Sequence, residues 1–213
     1  MRTLINPDFP WVFGSKKRRL YRQSRVDFYE GRNALASTSS FNNILTSNNI
    51  DASLSTDKRI KFYGLYFGQS LKETTKKLGK PNYKDKRSLV LKNQVTIYYR
   101  LTIKEVKCIL QMHFYKDKFF FGKMEIRSSN PTVKRDIGEL VCQKYGVAEE
   151  GWTGSIFDDD GNKVMIRQNM IPNVCYVTGD KTIISALKME LNLIEQPKKY
   201  RRSGQTELLL DMV

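Results

Sequence analysis

The residues whose types and spacing best fit a chemical task in this chain are cationic. Lys16-Lys17-Arg18-Arg19, followed by Tyr21, Arg22 and Arg25, sets six positive charges and one ring in a short stretch. Such a stretch can neutralise phosphates and stack bases. Lys72, Lys76 and Lys80 recur every four residues, which places them along one side of a helix, and Lys84, Lys86 and Arg87 follow directly. These thirteen positions are the expected polyanion- or partner-binding residues. The plainer alternative is a solvated, lysine-rich face.

The distribution of charge supports a binding surface. The chain has 213 residues and a formal net charge of +15. Residues 1–64 carry 11 Lys and Arg against 5 acids, residues 65–130 carry 15 against 5, and residues 131–213 carry 11 against 12. The first two thirds are basic and the last third is neutral. A polarised surface of this kind attracts polyanions or acidic partners through salt-sensitive fields.

Other chemistries find little support. The one histidine, His113, sits inside a strand-like run, and no nucleophile–base pair or His-rich metal site can be assembled around it. Cys108, Cys142 and Cys175 lie far apart in apolar segments, which reads as buried thiols in a reducing compartment. Asp158, Asp160 and Asn162 have the spacing that opens a calcium loop. Lys163 then stands where glycine is needed and Asn169 where a bidentate Glu is needed, so an Asp-Gly hairpin is expected instead. No nucleophile elbow, phosphate loop or dinucleotide fingerprint is present. The expectation is a protein that is not an enzyme, without cofactor, metal or small-molecule substrate.

The elements that must position these residues can be read from pattern. Residues 1–57 read as a basic arm followed by a Ser/Asn-rich linker, in which Phe41, Ile44, Leu45 and Ile50 leave room for a short docking segment. Residues 58–197 read as a single α+β domain. Ser70 and Glu73 have capping-box spacing for a helix ending at Leu78-Gly79 with Pro81 beyond. Strand-like runs follow at 89–91, 95–101, 107–115 and 119–127, with Lys116-Asp117-Lys118 connecting the last two. Asn130-Pro131 opens a helix with Val133, Ile137, Leu140, Val141 and Tyr145 on one face. Asp180 opens another with Ile183, Ile184, Leu187, Leu191 and Ile194, closed by Pro197. Between them, a hairpin at 156–166 and a strand at 174–177 are expected. Residues 198–213 read as a tail. The fold class is an antiparallel sheet with about three helices packed on one face and an extended N-terminal arm.

The run Tyr63-Gly64-Leu65-Tyr66-Phe67-Gly68-Gln69-Ser70-Leu71-Lys72-Glu73, then Leu78-Gly79-Lys80-Pro81 and strands, resembles small bacterial domains of the SmpA and beta-lactamase-inhibitor-protein type. The resemblance covers residues 60–128. It implies a non-enzymatic fold used for protein–protein contact, in a family whose members are usually exported. The chain as written shows no leader-like segment and no apolar run near the roughly 20 residues a spanning helix needs, so a cytoplasmic location without a membrane span is expected. The expected function is a binding or structural protein acting in a larger assembly through its basic surface and N-terminal arm. The alternative is a nucleic-acid-binding protein or a component of a ribonucleoprotein or virion. The expected partners are acidic protein surfaces first and nucleic acid second.

Overall fold

Every residue from Cys108 to Tyr115 is buried, and a strand buried on both faces needs a cover on both. That requirement shapes the architecture of the computed structural model. It describes residues 25–46, 53–86, 90–103, 105–128, 130–147, 154–167 and 171–210, except the side chains of 131, 133–135 and 196–210. The strands are β1 (Ser53–Ser55), β2 (Tyr83–Asp85), β3 (Gln94–Ile103), β4 (Val106–Tyr115), β5 (Lys118–Arg127), β6 (Ser155–Phe157), β7 (Lys163–Arg167) and β8 (Asn173–Val177). The described helices are α1 (residues 25–30), α2 (Thr38–Thr46), α3 (Leu71–Leu78), α4 (Pro131–Tyr145) and α5 (Lys181–Leu210).

The chain divides into two compact units, residues 1–34 and 35–213. In the first, α1 ends at Gly31, whose amide donates to the Asp27 carbonyl, and the Arg32 guanidinium lies 3.8 Å from the centre of the Phe28 ring. The second holds one eight-stranded sheet in the order β1-β6-β7-β8-β5-β4-β3-β2.

The fold is α+β, and the sheet is mixed. β1 runs parallel to β6, and the other pairs are antiparallel. The helices also lie on two faces rather than one. Ile137, Val141, Cys142 and Tyr145 of α4 share a core with Ile97, Leu110, Met112, Val174 and Tyr176, and Leu71 and Leu78 of α3 pack against that core. On the opposite face, the ring of Phe41 in α2 stacks 6.4 Å from Phe120, and the Tyr115 hydroxyl donates to Glu190 of α5. The reason is the uninterrupted burial of β4. A bulge between His113 and Phe114 also divides three consecutive phenylalanines. Phe119 joins the α3–α4 core, while Phe120 and Phe121 lie beside His113.

Two expected boundaries move. Residues within the expected linker form α2, which buries Phe41, Ile44 and Leu45, and β1, which pairs with β6. Their stabilisation is tertiary, so the polar composition between these few apolar side chains concealed it. Helix α5 also continues through Pro197 to Leu210, where a tail was expected. Proline removes the amide that would bond the Leu193 carbonyl, but Leu193 lies on an exposed face where water can serve that carbonyl.

Local sequence does set the other helix ends. Ser70 and Glu73 close the capping box on α3, the Asn130 side chain accepts from the Thr132 amide, and Gly146 ends α4 at φ 70°. The Asp180 carboxylate accepts from Thr182 and Ile183 at the start of α5. Burial opposes its ionisation, but those amides outweigh burial and lower its pKa.

Candidate functional site

The segment ahead of α3 alternates like a strand, and the alternation decides which side chains face solvent. Ile60 and Phe62 are buried, while Arg59 and Tyr63 are exposed and Lys61 is half-buried. The segment is fixed at three points. The Thr56 hydroxyl donates to the Tyr145 carbonyl at 2.6 Å, the Ile60 amide donates to Asp158 Oδ2 at 2.8 Å, and the Phe62 ring fills the space over Gly122. A Cβ on Gly122 would lie 2.6 Å from that ring.

Phe62 and Leu65 then exchange both backbone bonds, at 3.0 and 2.9 Å, across a two-residue turn of Tyr63 and Gly64. Both turn residues have positive φ, 50° and 78°, the geometry of a type I′ turn. Glycine takes that conformation freely, whereas an aromatic residue is strained in it. Tyr63 is nonetheless there, with its side chain outside the core and 46% exposed. Lys77 of α3 ties the turn down, its Nζ donating to the Gly64 carbonyl at 2.6 Å.

Around this turn the structure gathers cations and rings. The Arg59 guanidinium lies 4.8 Å and the Lys61 ammonium 4.2 Å from the centre of the Tyr66 ring. A hydrogen bond with Lys61, followed by the nearby positive charges, lowers the Tyr66 phenol pKa despite some desolvation. From Lys58 to Lys86 there are nine Lys and Arg and two acids, Glu73 and Asp85. Glu73 is held by the Ser70 amide and hydroxyl, which lower its pKa, and Asp85 is buried.

Lys72, Lys76, Lys80, Lys84 and Lys86 are all exposed. Lys84 pairs with Ile97, so it stands on the sheet face that α3 covers. Lys72 and Lys76 stand on α3, Lys80 just beyond its end, and Lys84 and Lys86 on and just after β2. Arg25 is exposed on α1 in the other unit. Lys16, Lys17, Arg18, Arg19, Tyr21, Arg22 and Arg87 lie outside the described residues.

Arg59, Lys61, Tyr63 and Tyr66 escaped the sequence reading. The available signal was the Tyr63-Gly64 pair between two apolar residues, with basic residues at every second position before it.

Beside Tyr66 opens a cleft of about 270 Å³, lined by Arg59, Tyr66 and Phe67 on one side and by Asp160, Asn162, Thr178 and Asp180 on the other. Its acidic wall is the β6–β7 turn, where the sequence suggested the start of a calcium loop. Asp158 Oδ1 accepts from the Asn162 amide and Oδ2 from the Asn162 side chain and the Ile60 amide, all within 3.0 Å. Asn162 Oδ1 accepts from Gly179, and Asp160 pairs with Arg59 at 3.1 Å. This turn uses its Asp and Asn side chains to join three chain segments.

Two buried titratable groups lie elsewhere on the sheet. His113 Nδ1 is 2.8 Å from the Gln94 side-chain amide and 3.1 Å from the Thr96 hydroxyl. Burial, then the Lys123 charge, lowers its pKa to about 3, so the ring is neutral. Burial and then Arg167 bring Lys163 down to about 8. Cys108, Cys142 and Cys175 are buried free thiols. Among the described residues, no helix is long and apolar enough to cross a membrane. Comparison with protein-family models, with curated proteins and with solved structures returned no match.

Proposed function

We propose that this chain is a non-enzymatic binding protein that holds an anionic partner against the basic surface of residues 58–86. The observation that carries this reading is that nine Lys and Arg face two acids in that stretch, and Lys72, Lys76, Lys80, Lys84 and Lys86 are exposed while Asp85 is buried. The excess of cations makes the field over this stretch positive, which attracts a polyanion. The basic arm, Lys16 to Arg25, would extend the same attraction, and the partner would be part of a larger assembly. The α3 exit through Leu78-Gly79-Lys80-Pro81 into the β3–β5 meander also supports keeping the SmpA and beta-lactamase-inhibitor-protein likeness as a proposal for residues 60–128. A cytoplasmic location belongs to the same proposal.

The test is a titration of two labelled polyanions, a single-stranded oligonucleotide and polyglutamate, at several salt concentrations. For the nucleic acid, log K should fall with log salt by about 0.7 for each phosphate neutralised. Replacing Lys72, Lys76 and Lys80 by Ala should weaken binding and flatten that slope. Failure of both polyanions to bind at low salt overturns the reading.

A further inference from the structure

The turn at Tyr63 carries the proposed function one step further, and the step rests on that reading. We infer that Tyr63 is a stacking platform for an unpaired base, so the anionic partner is single-stranded nucleic acid held by Lys61 and Lys77 around the 62–66 turn.

Three observations converge on this assignment. The first is conformational. Tyr63 occupies the left-handed region at φ 50° in a turn whose next residue, Gly64, also has positive φ. A non-glycine residue persists there only when its surroundings hold it, and such strain gathers where a side chain must be presented. The Phe62–Leu65 bridge, the Lys77 bond to Gly64 and the two core anchors supply that hold.

The second is exposure. Phe62 and Leu65 fill the core, whereas Tyr63 is 46% exposed, so burial does not account for a ring at this position. The third is the company it keeps. Arg59 and Lys61 lie against Tyr66, and Lys77 ends at Gly64, so phosphate-neutralising groups flank two tyrosines three residues apart.

Rings among cations match single strands better than duplexes. A duplex keeps its bases stacked on one another, while a single strand offers each base face to an aromatic side chain. An acidic protein surface meets the same cations and can pack on the same ring, and the abasic and polyglutamate probes tell it from a base. Asp160 takes up Arg59 and Asp180 lines the same cleft, so the phosphate contacts fall to Lys61 and Lys77.

The experiment measures fluorescence anisotropy of four labelled probes with the full chain: a single-stranded oligonucleotide, an abasic oligonucleotide of equal length, the corresponding duplex and polyglutamate. The single strand should bind more tightly than the abasic strand. Tyr63→Ala should weaken single-strand binding by about 5- to 150-fold, the range for loss of one stacked base. It should leave abasic and polyglutamate binding unchanged, and Tyr63→Phe should restore the loss. Tyr63→Gly, which suits the left-handed backbone, should behave like Tyr63→Ala and separates a folding defect from loss of the ring. Equal affinity for the based and abasic strands, or no effect of either variant, overturns the stacking platform and leaves the basic surface standing. Absence of binding to every probe overturns the basic surface itself.

Discussion

Two tight turns flank the cleft beside Tyr66, and they use their side chains in opposite ways. In the turn at 158–162, Asp158 is 8% exposed and three hydrogen bonds converge on its carboxylate, while Asn162 reaches on to Gly179. In the turn at 62–65, backbone bonds and two buried neighbours supply the rigidity, and the side chain at the tip faces solvent. The acidic turn looks like a ligand site by composition and acts as a clasp. The other has an unremarkable composition, yet it leaves its tyrosine ring largely outside the core. Composition therefore does not tell which of the two turns is used internally; the bonds and burial of the side chains at their tips do.

The largest test of this contrast is Asp158→Ala. It strands the Ile60 and Asn162 amides and the Asn162 side chain, and each buried donor left unpaired costs about 1–3 kcal/mol. Urea unfolding should show a loss of about 3 kcal/mol or more, with the salt slope of polyanion binding unchanged under conditions where the variant is folded. A stable variant with weakened polyanion binding would reverse the roles of the two turns.

His113 is a second, smaller test, on a buried ring bonded at Nδ1 and without a hydrogen-bond partner at Nε2 among the described residues. Its folded-state pKa is near 3 and the unperturbed value is 6.5, so the folded protein binds fewer protons than the unfolded chain. Its contribution is complete above about pH 6.5 and is lost as pH falls towards 3, by up to about 1.4 kcal/mol per pH unit. Urea midpoints measured between neutral and mildly acidic pH should fall, and His113→Gln should remove that part of the slope. Identical slopes in the two proteins would show that the ring titrates freely.

The smallest expected effect belongs to the exposed turn. Tyr63→Gly should be neutral or should raise stability by about 0.5 kcal/mol, because relief of the left-handed strain slightly exceeds the added entropy of glycine. A loss above about 1 kcal/mol would mean that the ring packs for stability and that the contrast fails.

The parts of this fold that were legible are those specified by neighbouring residues. The Ser70–Glu73 capping box, the Asn130-Pro131 start, the Asp180 cap and the alternation of Val95, Ile97 and Tyr99 all report local geometry. Helix α2 did not read that way, although Phe41, Ile44 and Leu45 have helical spacing. Three apolar residues among Ser and Asn offset ordering entropy only when Phe120 is there to receive them. The candidate site divides similarly. Lys72, Lys76 and Lys80 showed a helical spacing, but the presentation of Tyr63 depends on what Phe62 and Leu65 bury, which no local pattern states.

The parallel pairing of β1 with β6 sets a schedule for synthesis. Ser53 meets Ser155, a partner about a hundred residues later in the chain; at about 5–20 residues per second, roughly 5 to 20 seconds separate their emergence from the ribosome. Throughout that interval the β3–β5 meander, whose partners are near neighbours, can close by itself, while residues 53–55 have no strand to join. A long apolar strand left waiting would invite pairing with another chain. This one is three residues long and places Leu54 between two serines, so the nascent protein offers little for a neighbouring chain to pair with until its own partner arrives.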